Sequence, residues 1–309
     1  MRSKILRAMT KDGSARVFVI DGKAMVGNAL RFHPCAPTAA AAFARVLMGA
    51  SMMGCMLKDK GNTLTLRFAG DGPIGHVLAV SDYCGNVKGY PANPNVELPR
   101  RLDGHLDVGG AIGQGTLQVI RDLGLKEPFN GITPLVSGEV AEDIAAYFAE
   151  SEQTPTMCAL GVRISQSGLV AAGGVLVQLL PFAAEETVAR LEENGKGLSA
   201  ISAMFERGAS CAEVMETALE GIPYDVFDEI PVDYICDCSK DRMGEALLTL
   251  GPYELFRLFS EEKEIETECH FCGTKYRFTA KDVEAARKRK EARIAAEKKK
   301  AEQAKKEQQ

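Results

Sequence analysis

The chain has 309 residues, 46% hydrophobic and 26% charged, and 37 Lys+Arg against 42 Asp+Glu give a net charge of -5. These proportions exclude a wholly disordered or collagen-like chain, and the length suits two domains with a small appendage. Trp is absent and aromatic residues make up 6%, too few for a broad stacking surface for single-stranded nucleic acid.

The start, MRSKILRAMT, has no long apolar run and no small-residue cleavage site, so it does not read as a signal peptide. Residues 15–20 (ARVFVI) predict a strand. Residues 36–57 carry a single charge, Arg45, and are almost long enough to span a bilayer. A charge near mid-span costs about 2.5–3.5 kcal/mol. Ala and Gly outnumber Leu and Ile and the flanks lack aromatic anchors, so a buried helix of a soluble protein is expected, with Pro37 in its first turn. Met48, Met52, Met53 and Met56 fall at helical spacing with Leu47 and belong in the core. Residues 63–68 (TLTLRF) alternate cleanly, and further strands are expected at 116–120, 158–164 and 175–180. Gly-containing turns are expected at 70–73, 81–86 and 130–133, and a helix at 139–150 with Ser137 as its N-cap. Helices and strands do not alternate regularly, so residues 1–181 read as an α+β domain of antiparallel strands with helices packed on them.

Residues 182–230 differ. Val188, Leu191, Leu198, Ile201, Met204, Phe205, Val214, Met215 and Leu219 recur at spacings near three and four. They predict a helical linker of short amphipathic segments broken at Asn194-Gly195, Gly208 and Gly221, which must pack on something or be partly unfolded. Residues 231–281 hold four cysteines in two close pairs, the spacing of a metal site, and are expected to form a small C-terminal zinc module. Residues 282–309 are a charged basic tail, helical or disordered, with Val283 and Ile294 too sparse for a heptad seam. Residues 281–309 carry 11 basic and 6 acidic side chains, so the remainder bears -10. Such a body is a poor partner for a phosphate backbone, and any nucleic-acid contact must lie in the tail.

Nine cysteines stand at 35, 55, 84, 158, 211, 236, 238, 269 and 272. An odd count without an export signal argues against a secreted disulfide framework and for a reducing cytoplasm. Cys236-Asp-Cys238 and Cys269-His-Phe-Cys272 are two close pairs with a short connection, the pattern of a tetrahedral Zn2+ site with four thiolate ligands. Gly273 lets the backbone fold tightly after the second pair. His270 can replace a thiolate, but four cysteines already fill the shell. The Cys-x-Cys spacing is tighter than structural zinc sites use, and a module this small has little core of its own. Structural zinc contributes on the order of 10–16 kcal/mol, against about 5–15 kcal/mol for a whole domain. Thiolate oxidation that ejects the metal therefore makes the site a switch. The other five cysteines read as buried small hydrophobes, with Cys211 in the linker the one open to adventitious oxidation. The histidines at 33, 76 and 105 have no ligand-like spacing, and no Ser/His/Asp set or phosphate loop stands out.

The chain resembles the bacterial 33-kilodalton heat-shock proteins, redox-regulated holdase chaperones. The resemblance rests on LRFAGDGPIGHVLAVSD (66–82), SGEVAEDIAAYFAESEQTPTMCALGV (137–162), AAGGVLVQLLP (171–181), CDCSKDRMGEALLTLGPYEL (236–255) and CHFCGTKYRF (269–278). The run after Phe278 is longer and more basic than the family leads one to expect. The resemblance implies that Cys236, Cys238, Cys269 and Cys272 hold one Zn2+ in an inactive reduced form. It implies that peroxide with mild unfolding, or hypochlorous acid, produces the disulfides Cys236–Cys238 and Cys269–Cys272 and releases zinc. The module and linker then lose their fold. The body, as a homodimer, binds unfolded client proteins without ATP and passes them to ATP-dependent foldase chaperones. Such a protein is no enzyme, is cytoplasmic, and needs neither membrane nor nucleic acid. Two other readings compete. A thiol–disulfide oxidoreductase using Cys269 and Cys272 would need that motif between a strand and a helix, and residues 261–268 are too acidic for a buried strand. A zinc-ribbon RNA or ribosome binder would use the basic tail.

Overall fold

The computed structural model describes residues 2–307, with side chains for residues 2–296. It divides into two units, residues 1–235 and 236–309. In chain order the first holds β1 (Ser3–Thr10), β2 (Ala15–Asp21), α1 (Lys23–Phe32), α2 (Pro37–Gly54), β3 (Thr63–Gly70), β4 (His76–Asp82) and β5 (Val87–Pro91). There follow α3 (Val108–Ile112), β6 (Gly115–Asp122), β7 (Phe129–Pro134), α4 (Ala141–Ser151), β8 (Thr156–Ser165), β9 (Gly168–Leu179), α5 (Glu185–Gly197), α6 (Ile201–Glu206), α7 (Cys211–Ala218) and β10 (Tyr224–Val232). The strands form two five-stranded antiparallel sheets, ordered β10-β1-β2-β9-β8 and β5-β4-β3-β6-β7.

Apart from Arg16, which donates to Gln178 Oε1, the run ARVFVI is apolar because both faces of β2 are covered. Phe18 and Ile20 point into a core shared with α2 and with Leu64, Leu66 and Phe68 of β3. Val17 and Val19 point the other way, into a second apolar layer with Leu191, Leu198, Ile201, Val214, Met215 and Leu219. The linker helices α5 to α7 thus cover the outer face of the first sheet. Gly173 makes room there: a Cβ at that position would lie 2.2 Å from the Phe205 ring.

Nearly all of α2 is buried, with Met48, Met52 and Met53 in the core as expected, while Met56 lies past the end of α2 and packs only partly buried against that core. Arg45 is tolerated because Glu139 accepts from its guanidinium and also from Arg101 Nη1 and the Gly109 N–H. Among the described residues no helix is long and apolar enough to cross a membrane.

Several sequence expectations need correction. Ser137 does not cap α4; the Asp143 carboxylate reaches back to the N–H groups of Val136, Ser137, Gly138 and Val140. That bonding holds Val140, a β-branched residue, at φ +67°. Residues 130–133 lie within β7 rather than a turn. No break occurs at Asn194-Gly195, because α5 runs on and Asn194 Nδ2 donates to the Ala218 and Glu220 carbonyls. Breaks at Gly208 and Gly221, both at positive φ, do occur. The helical linker expected over 182–230 stops at Ala218, and residues 224–230 belong to β10. The acidic side chains of this edge strand face solvent or pair across the ladder, Asp228 with Arg7 and Glu229 with Lys4. The segment after it, Asp233–Ile235, still belongs to the first unit and lies along β5, with Tyr234 Oη on both backbone groups of Gly89.

The second unit holds α8 (Lys240–Leu247), α9 (Pro252–Glu261), β11 (Glu264–Glu268), β12 (Lys275–Thr279) and α10 (Ala280–Glu307). Its small core is Leu255, Ile265, Phe278 and Val283. Within the acidic stretch 261–268, Glu264–Glu268 does form a strand, β11, but as half of a two-stranded ribbon in which only Ile265 of β11 and Phe278 of β12 are buried. The start of the charged tail is helical; the side chains from residue 297 onward lie outside the described ones.

Candidate metal centre

Each cysteine pair occupies a segment whose backbone is free of ladder hydrogen bonds. Cys236 and Cys238 lie in the extended stretch before α8, whose first turn Ser239 caps by accepting from the Arg242 N–H at 3.2 Å. Cys269 and Cys272 sit in the tight turn between β11 and β12. There the Gly273 N–H donates to the Cys269 carbonyl (2.8 Å) and the Cys269 N–H to the Thr274 carbonyl (2.9 Å). The turn closes because Gly273 takes φ +69°, a conformation that costs glycine little.

The four sulfurs converge, all within 4.8 Å of one another. Cys236 Sγ is 3.7 Å from Cys269 Sγ, and Cys238 Sγ 3.4 Å from Cys272 Sγ. Sulfurs at the corners of a tetrahedron with metal–sulfur bonds of about 2.3 Å lie about 3.8 Å apart, so the cluster fits a tetrahedral metal with small adjustment. The cluster can hold a metal ion. Two hydroxyls that the sequence reading missed touch it: Tyr276 Oη lies 3.1 Å from Cys238 Sγ and Thr274 Oγ1 3.2 Å from Cys272 Sγ. Their signal was position, since both lie within four residues of Cys272 where the chain leaves the turn, Thr274 just before β12 and Tyr276 on it.

Burial pushes the Cys236 and Cys269 thiols up. Burial acts the same way on Cys272, but the Thr274 hydroxyl and N–H and the neighbouring thiols outweigh it and bring Cys272 down to about 7. At least one thiol of the cluster is thus poised to ionise near neutrality. Four other cysteines contrast with it. Desolvation pushes Cys35, Cys55 and Cys158 up to about 12 and Cys211 up to about 11. Cys211, expected to be open to adventitious oxidation, is buried at the start of α7 and is shielded instead. The second pair follows a strand but does not open a helix, being enclosed in a hairpin, unlike the arrangement an oxidoreductase motif needs.

The Hsp33 protein family model matches residues 3–279. The chain belongs to the Hsp33 family. It is 42% identical to the 33 kDa chaperonin of Ruminiclostridium cellulolyticum, over 92% of this chain and 97% of that protein. It is 43% identical to the 33 kDa chaperonin of Clostridioides difficile, over 92% and 98% respectively. The crystal structure of the 33 kDa chaperonin (heat shock protein 33 homolog) from Thermotoga maritima matches with a TM-score of 0.84 and 37% identity, covering 94% of this chain and 99% of that one. The Hsp33 model ends at Thr279, so α10 lies wholly beyond it.

Proposed function

We propose that the chain is a redox-switched, ATP-independent holdase chaperone of the cytoplasm, inactive when reduced and zinc-bound. The observation that carries this reading is the convergence of four thiols in a unit too small to be stable by packing alone. Family membership supports the chaperone part of it. Bound Zn2+ would keep Cys236, Cys238, Cys269 and Cys272 as thiolates and tie the two segments together.

Oxidation then removes the donors. Each disulfide forms from two thiolates and passes two electrons to one molecule of peroxide or hypochlorous acid. The pairing decides the outcome. Bonds between the motifs, Cys236–Cys269 and Cys238–Cys272, would close loops of 33 and 34 residues and staple the module by about 3–4 kcal/mol. Bonds within the motifs, Cys236–Cys238 and Cys269–Cys272, constrain almost nothing and let the halves part. The second pairing, which the resemblance to the family implies, is the one compatible with a switch. Loosening next exposes the apolar face of β1, β2 and β9 under the linker, together with the linker's own Leu191, Ile201, Val214 and Met215. Unfolded clients would bind there, with a homodimer as the oxidised form and ATP-dependent foldases downstream. Peptide mapping of hypochlorous-acid-treated protein tests the step. Within-motif disulfides are expected; a majority of between-motif disulfides would contradict the switch.

A further inference from the structure

We propose that α10, which lies wholly beyond the family model, is a clamp on the cysteine module, holding its two halves together by ion pairs whether or not metal is bound. The inference rests on the reading that the four cysteines hold the metal.

The connectivity makes this possible. Helix α8 begins two residues after Cys238, and α10 follows β12, which begins three residues after Cys272. Each helix is therefore the direct continuation of one cysteine pair. The two helices meet along matched turns. Asp241 and Glu245, one turn apart on α8, face Arg289 and Arg293, one turn apart on α10. Arg289 Nη2 lies 2.7 Å from Asp241 Oδ1, and Arg293 grips Glu245 with two bonds of 2.8 Å each. Closer to the cluster Lys240 Nζ lies 3.1 Å from Asp282 Oδ1, and Asp282 Oδ2 accepts from the Thr279 N–H at the start of α10. Beneath the charges, Val283 and Ala286 are buried, and Gly244 leaves the helices room: a Cβ there would come within 3.2 Å of both the Ala286 methyl and the Phe278 ring.

Single exposed ion pairs hold little, but a bidentate arginine within a network is the favourable case. The clamp explains why the charge run is helical despite its lack of a heptad seam. Among the described side chains its buried apolar contacts are confined to the first two turns, and charge extends the pairing beyond them. It makes separation of the two halves sensitive to ionic strength, because surface pairs are screened by salt. Zinc loss from this chain is accordingly slower than from the same chain lacking the helix, because these ion pairs must separate before the two halves part.

The test uses the full chain, a chain ended after Thr279, the reversal Arg289→Glu/Arg293→Glu, and the swap that adds Asp241→Arg/Glu245→Arg to that reversal. Zinc release under hypochlorous acid is followed with a chromogenic chelator. Amide exchange of α8 is measured on reduced protein with and without zinc. At low salt, reversal and truncation are each expected to speed both rates about tenfold, and the swap to restore them to within about twofold of the full chain. Sodium chloride at about 1 M should bring the full chain to the rate of the reversal variant. Rates for reversal and truncation within twofold of the full chain overturn the clamp, as does a swap that fails to restore them. If the full chain purifies without zinc, the metal reading fails, while α8 exchange in the zinc-free protein still decides the clamp.

Discussion

Replacing Met215 by Ala is expected to free the linker without any oxidant. Met215 is completely buried in the layer between the first sheet and the linker helices, beside Val214, Leu219 and Val175. Truncating a buried methionine to alanine costs about 2–5 kcal/mol, transfer and cavity terms together. At about 3 kcal/mol the opening equilibrium of α7 shifts by about two powers of ten. The loss falls on local opening of the linker, because the core around α2 is a separate layer on the opposite face of the sheet. Amide exchange in α5 to α7 should therefore quicken about a hundredfold while α2 and β3 keep their protection. The reduced variant, with thiols titrated to show it, should suppress aggregation of an unfolding client without ATP. Unchanged α7 exchange would refute the two-layer account. Quickened exchange with no gain in suppression would refute the claim that this face holds clients.

Three further outcomes are expected. Tyr234→Phe keeps the ring stacked on Phe32 but strips the partner from both Gly89 backbone groups; a cost of about 1–3 kcal/mol should appear as a lower thermal midpoint, and an unchanged midpoint would show that the hydroxyl holds nothing. Asp143→Asn deprives up to four N–H groups of a charged acceptor and releases Val140 from its positive φ, so calorimetry should register a loss of about 2–3 kcal/mol. Asp12 joins the β1–β2 turn to α5 through the Ser14 N–H and hydroxyl and the Thr187 hydroxyl. The Thr10, Ser14 and Thr187 bonds hold its carboxyl well below the usual carboxylate range. Its folded value is depressed, so the stabilisation is complete above about pH 4 and is lost as pH falls further. Exchange at the start of α5 should rise in that acid range, and Asp12→Ala should show the same rise at neutral pH.

The four-cysteine cluster was legible because spacing alone announces it: four cysteines in two close pairs need no tertiary information to be paired. The strands of the first unit were legible where apolar runs or clean alternation marked them, as at 15–20 and 63–68. The misses share a cause. Asp143 caps α4 from inside the helix and against a strained Val140, a geometry that nothing local to Ser137 reveals. Residues 224–232 and 264–268 are acidic, and read alone they do not look like strands. They become strands because one lies at a sheet edge against Arg7 and Lys4 and the other pairs within a hairpin, and both leave most side chains in water. The charged run after Phe278 looked solvated because its partners, Asp241 and Glu245, lie about 48 residues away in sequence; pairing at that distance leaves no periodic trace.

The most direct test of the switch follows zinc and chaperone activity in one sample. Reduced, zinc-loaded protein is treated with hypochlorous acid while a chromogenic chelator reports released metal and light scattering reports aggregation of a thermally unfolding client, with no ATP present. One equivalent of zinc is expected to leave as suppression rises with the same time course, and a thiol reductant with added zinc should reverse both. Zinc that stays bound, or that leaves with no gain in suppression, would make the four cysteines a structural staple and contradict the account.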